Sequence, residues 1–134
     1  MTAVPRLGVI ETIGAGRPVV LLHGFGGSAA GWEDVQRNLD CATLAFDLPG
    51  HAGSLNYPGF GTASFAARAV VRELDQRGIE AFHLTGHSMG GAVAALIAIS
   101  QPSRVLSATL LSPGGMSSRI NAPLLRGFAM AGNE

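Results

Sequence analysis

One serine sits between glycines at the point where a strand-like run gives way to a helix-like one: Gly86-His87-Ser88-Met89-Gly90-Gly91. The apolar run Ala81-Phe82-His83-Leu84-Thr85 leads into it, and the alanine-rich stretch 92–99 leads out. Strand, tight turn and helix in that order leave few folds open. A residue at the apex of such a turn takes strained backbone angles, so its neighbours must be small. Gly86 and Gly90 meet that need two residues to either side of Ser88, and Gly91 lets the helix approach the sheet.

Gly-x-Ser-x-Gly in this setting presents the serine hydroxyl as a nucleophile. The helix N-terminus then points free N–H groups and a positive dipole end at the space above Ser88. A developing oxyanion is stabilised there, with the Met89 N–H as its first donor.

A second glycine loop, His23-Gly24-Phe25-Gly26-Gly27, follows Pro18-Val19-Val20-Leu21-Leu22, a continuous apolar run of the kind buried on both faces. Such a loop supplies a second oxyanion donor. The Phe25 N–H is the first choice and Gly26 the alternative. Gly24 shapes the loop, and His23 braces it by hydrogen bonding and takes no part in catalysis. A third loop, Asp47-Leu48-Pro49-Gly50-His51-Ala52-Gly53-Ser54, follows the strand-like run 42–46 and carries a Pro-Gly turn signal. Asp47 and His51 are read as pinning this loop to its neighbours, not as acid and base.

These motifs in this order, closed by Leu111-Ser112-Pro113-Gly114-Gly115, resemble the α/β-hydrolase fold family over essentially the whole chain. The segment through Ile120-Asn121 is also similar to the hydrolase-like portion of acetoin dehydrogenase acyltransferases and to meta-cleavage-product hydrolases. The resemblance implies a mostly parallel, doubly wound α/β sheet with helices on both faces, ending after the sixth family strand. It implies residues 1–115 as the N-terminal part of the hydrolase core and 116–134 as the start of a helical cap over the site.

The element pattern agrees. Residues 7–13, 18–23, 42–47, 81–85 and 105–111 read as strands, and 29–39, 62–77 and the stretch up to Ser100 as helices. In 62–77, Ala66, Val70 and Leu74 share one face, while Arg68, Arg72 and Asp75 point outward. Gly78 marks the helix stop, and Trp32 packs its helix on the sheet. Strands alternating with helices imply a parallel sheet with active loops at the strand carboxyl ends. Residues 23, 47, 88 and 112 all fall at such ends.

The 134 residues suffice for one domain, and 47% hydrophobic against 13% charged residues implies a large buried share. Nine basic residues balance nine acidic ones, so no nucleic-acid or membrane-surface attraction is expected. The single cysteine, Cys41, allows no internal disulfide. The histidines lie in separate loops and strands and no Cys-x-x-Cys spacing occurs, so neither metal nor cofactor is expected. Without a signal-like N-terminus or a long apolar run, a cytoplasmic location is the default.

A serine needs an adjacent base, oriented by a carboxylate. In the family order these follow the serine, yet beyond Ser88 the only acidic residue is Glu134 and there is no histidine. The expectation is a serine hydrolase acting on a small-molecule ester or ketone. Its catalytic acid and histidine come from a missing C-terminal half or a complementing chain, and this stretch alone is inactive. The alternatives are a non-catalytic binding module of the same fold and a cofactor-free haloperoxidase.

Overall fold

The structure, a computed structural model, describes residues 4–59 and 61–114. The expected cap segment 116–134 lies outside them. Five strands form one sheet in the order β1-β3-β2-β4-β5: β1 Val9–Thr12, β2 Ala15–Leu22, β3 Cys41–Phe46, β4 Phe82–His87 and β5 Val105–Leu111. Strands β2 to β5 run parallel and β1 runs antiparallel to β3, with Val9 opposite Phe46 and Thr12 opposite Thr43. The sheet is therefore mostly parallel.

The two faces follow from the period-two alternation of strand side chains. Val20 and Leu22, Leu44 and Phe46, and Phe82 and Leu84 point to one face and are fully or almost fully buried. Over them lie α2 (Ala63–Gln76) and α3 (Met89–Ser100), through Val70 and Leu74 and through Val93, Ala94 and Ile97. Each large side chain buried there contributes about 1.5–3 kcal/mol. Leu21 and Ala45 point to the other face, under Ala29 and Trp32. Helical segments thus cover both faces.

The helix expected over 29–39 divides into a 3₁₀ turn, Ala29–Trp32, and a short α1, Glu33–Arg37. The division falls after Trp32, whose ring is buried against the sheet. The first strand is shorter than 7–13: the Gly8 carbonyl accepts from Asp47 N–H at 2.8 Å, and Gly8 N–H donates to Ser54 Oγ at 2.9 Å. The first bond is still in register with the ladder, and the second turns the segment to the loop after β3.

Helix α2 is well delimited. Thr62 caps it by accepting from Phe65 N–H at 3.0 Å. At its end Gly78 takes φ +69°, and Ile79 N–H returns to the Leu74 carbonyl at 3.0 Å, the bond pattern of a left-handed glycine stop. Its inward Glu73 is 2% exposed and holds Arg6 Nε and Nη2 at 2.9–3.0 Å. That contact fastens the N-terminal segment to the helix layer. Among the described residues no helix is long and apolar enough to cross a membrane.

Candidate active site

Four loops meet at the carboxyl ends of β2, β3, β4 and β5. Ser88 stands between β4 and α3 with φ +55° and ψ −117°, angles that a non-glycine residue holds only when its surroundings enforce them. The enforcement is visible. Ser88 N–H donates to the Leu111 carbonyl at 3.0 Å, and Gly114 N–H donates to the Ser88 carbonyl at 2.8 Å. The residues around it have no room for side chains. A Cβ on Gly86 would run into the Gly90 carbonyl, and one on Gly90 into the Leu22 and His23 carbonyls. A Cβ on Gly91 would lie 2.8 Å from Pro113 Cβ. The elbow is thereby wedged between β2 and the loop after β5.

The glycine loop after β2 abuts the elbow: a Cβ on Gly24 would lie 3.2 Å from both Ser88 Cβ and His87 Nδ1. Residues 24–27 form a tight turn, closed by Gly27 N–H to the Gly24 carbonyl at 3.0 Å, with Gly26 at φ +77°. A positive φ at the third position alone is the type II arrangement. Gly26 N–H donates to His51 Nε2 at 3.1 Å. Phe25 N–H and Met89 N–H find no hydrogen-bond partner among the described residues. The site therefore has two uncommitted N–H groups, one from each loop, while that of Gly26 is engaged.

His23, 4% exposed, is fully occupied. Leu48 N–H donates to its Nε2 at 2.9 Å, and its Nδ1 pairs with the Gly24 carbonyl at 2.7 Å. Burial pushes the imidazole below its ordinary 6.5, outweighing the Gly24 carbonyl, which favours the charged form. Asp47 is equally committed: Oδ1 accepts from Ala29 N–H at 2.8 Å and Oδ2 from Gly53 N–H at 3.1 Å. Ser54 Oγ donates to the Asp47 carbonyl at 2.6 Å. Both side chains tie the loops after β2 and β3 together and offer no free atom for proton transfer.

The expectation that the histidines lie in separate elements is corrected for two of them: β4 runs on through the elbow's His87, so His83 and His87 stand four residues apart on one strand. His83 Nδ1 is paired with Ser107 Oγ at 2.7 Å, and no hydrogen bond joins Ser88 Oγ to any of the four histidines. Among the described residues no group of three or more His, Cys, Asp or Glu side chains is placed to hold a metal ion. A cavity of about 350 Å³ opens beside the elbow, bordered by Gly24, Trp32, His87 and Leu111. A larger cleft of about 520 Å³ lies between α2 and α3 and shares no residue with the elbow. The smaller one is the cavity adjoining the turn that carries Ser88.

The reading of the sequence did not single out the His51–Gly26 bond or the buried Glu73. The Asp-Leu-Pro-Gly-His run signalled a pinned loop, but nothing in it names a partner 25 residues earlier.

The model of the α/β hydrolase fold matches residues 17–132, and the chain belongs to that family. It is 42% identical over 120 residues to the dihydrolipoyllysine-residue acetyltransferase component of the acetoin cleaving system of Cupriavidus necator, covering 88% of this chain and 32% of that protein. It is 37% identical over 122 residues to the 2-hydroxy-6-oxo-6-phenylhexa-2,4-dienoate hydrolase of Comamonas testosteroni, covering 83% of this chain and 41% of that one. A marine microorganism esterase superposes with TM-score 0.81 at 20% identity, over 96% of this chain and 49% of its own, a likeness of fold alone. The chain thus spans less than half the length of each.

Proposed function

We propose that Ser88 is the nucleophile of a serine hydrolase. The observation that carries this reading is the elbow itself: a serine at φ +55° between glycines that cannot hold a side chain, beside two uncommitted N–H groups. Strain at that position is maintained by packing on three sides, which suits a residue held ready for attack.

In the proposed reaction Ser88 Oγ adds to a carbonyl carbon and gives its proton to a histidine. Met89 and Phe25 N–H groups receive the oxyanion. Collapse expels the leaving group, which takes the proton back, and water then releases the acyl group from Ser88. The four histidines here are bonded elsewhere or lie in the elbow itself. The base and its carboxylate therefore come from beyond the described residues or from a complementing chain, and residues 1–134 alone turn over esters at background. The relatives named as an acyltransferase component and as a dienoate hydrolase support carbonyl substrates, an ester or a vinylogous ketone.

The test is ester and dienoate-ketone hydrolysis by the full-length protein with and without Ser88→Ala. Removing the nucleophile should lower kcat by at least about 10⁴-fold with the fold intact. Unchanged turnover in the variant would exclude Ser88 as the nucleophile, and a folded wild-type protein without turnover would leave a binding module of this fold as the better reading.

A further inference from the structure

The Phe25–Gly26 peptide makes one hydrogen bond among the described residues, from Gly26 N–H to His51 Nε2 at 3.1 Å. We infer that His51 is the positioning residue of the oxyanion turn: it locks the Phe25–Gly26 peptide plane and with it the type II form of the turn, whose preceding peptide, Gly24–Phe25, carries the Phe25 N–H. The inference rests on the functional reading above.

A tight turn of this kind has two arrangements, which differ by a flip of its central peptide, and glycine at the third position makes the type II form accessible. Residues 24–27 take that form, with Gly26 at φ +77°. The flip would exchange the Gly26 N–H for the Phe25 carbonyl, which His51 could meet only by moving its ring proton to Nε2 and giving up the Pro49 carbonyl. In the turn as it stands Nε2 is bare because Gly26 is the donor. The ring proton is then on Nδ1, which donates to the Pro49 carbonyl at 3.2 Å.

His51 is itself well anchored. Its N–H donates to the Leu48 carbonyl at 3.0 Å, its carbonyl accepts from Ser54 N–H at 2.8 Å, and Gly50 N–H donates to the Ser54 carbonyl at 2.9 Å. Its ring packs between His23, centroids 4.9 Å apart, and the edge of Phe25 at 6.0 Å. The loop after β3 is thus a rigid platform, and among the described residues His51 is the side chain through which it grips the exposed half of the oxyanion turn. A group argued to act this way touches no substrate. Its effect is on how accurately a donor is placed, and removing such a donor outright costs about 10²–10³ in rate.

The experiment uses the full-length protein, a fluorophosphonate probe, and three variants: His51→Phe and His51→Ala, which lack the acceptor, and His51→Gln, whose Oε1 restores one. Hydrogen exchange of the Gly26 amide is followed in parallel. The expected result is loss of Gly26 protection in the Phe and Ala variants together with an about tenfold fall in the inactivation rate constant, probe affinity unchanged, and recovery of both in the Gln variant. Equal Gly26 exchange in wild type and His51→Phe overturns the inference, as does a labelling rate that all three variants share with wild type. A wild-type protein that never labels, though Gly26 loses protection in His51→Phe, overturns the functional reading and with it the catalytic role of this bond.

Discussion

Leu48 donates its backbone N–H to His23 Nε2 at 2.9 Å, and this bond fixes the state of the imidazole. Nε2 must hold a lone pair, so the proton is on Nδ1, where it reaches the Gly24 carbonyl. A neutral, buried histidine therefore joins the carboxyl ends of β2 and β3, directly behind the glycine turn 24–27.

Stability should consequently depend on acidity through His23. Its folded pKa is lowered from 6.5, mainly by burial. The unfolded chain therefore takes up a proton that the native one refuses. The contribution is fully present above about pH 6.5 and is lost as pH falls through that value toward the folded pKa, by up to about 1.4 kcal/mol per pH unit. Urea unfolding between about pH 7.5 and pH 5 should show this slope in wild type and not in His23→Gln. Parallel pH dependences in the two proteins would contradict it.

The elbow should tolerate no methyl group at Gly90. A Cβ there meets the backbone carbonyls of Leu22 and His23, and β2 cannot retreat without opening the sheet on both sides. Gly90→Ala should cost about 3 kcal/mol. Gly31→Ala, whose Cβ meets nothing within 4 Å, should stay within about 0.5 kcal/mol. Denaturant midpoints of the two variants decide this.

The elbow and its flanks were legible because their signals are local. Ser88 with Gly86 and Gly90 specifies a strand–turn–helix within a few residues, and 105–111 reads as a strand by its apolar run alone. The alternation of elements sufficed for the parallel sheet. What stayed hidden depends on partners distant in sequence. Glu73 reads as one more charge on α2, yet it is buried because Arg6 reaches it from 67 residues away. His51 reads as a loop residue, and its bond to Gly26 exists only once β2 and β3 lie side by side. The short first strand and the split after Trp32 likewise go with contacts to the loop after β3 and to the sheet.

Glu73 should be worth more than a surface charge. Burial raises its pKa, but Arg6, the Leu7 N–H and Arg77 together bring it below 4.5. Its stabilisation is thus present above about pH 4.5 and lost as pH falls through the folded value. Breaking a buried pair costs about 3–5 kcal/mol. Arg6 is half exposed, and Glu73→Ala should accordingly cost about 2–3 kcal/mol at neutral pH. An unfolding free energy within about 0.5 kcal/mol of wild type would show that the network contributes nothing.

The central claim is that Ser88 is a reactive nucleophile, and covalent capture tests it most directly. The full-length protein is treated with a fluorophosphonate and its mass and peptide map are measured. The account predicts one adduct per chain, on the peptide containing Ser88, absent after Ser88→Ala. A folded wild-type protein that gains no adduct, or an adduct that persists in Ser88→Ala, would contradict it.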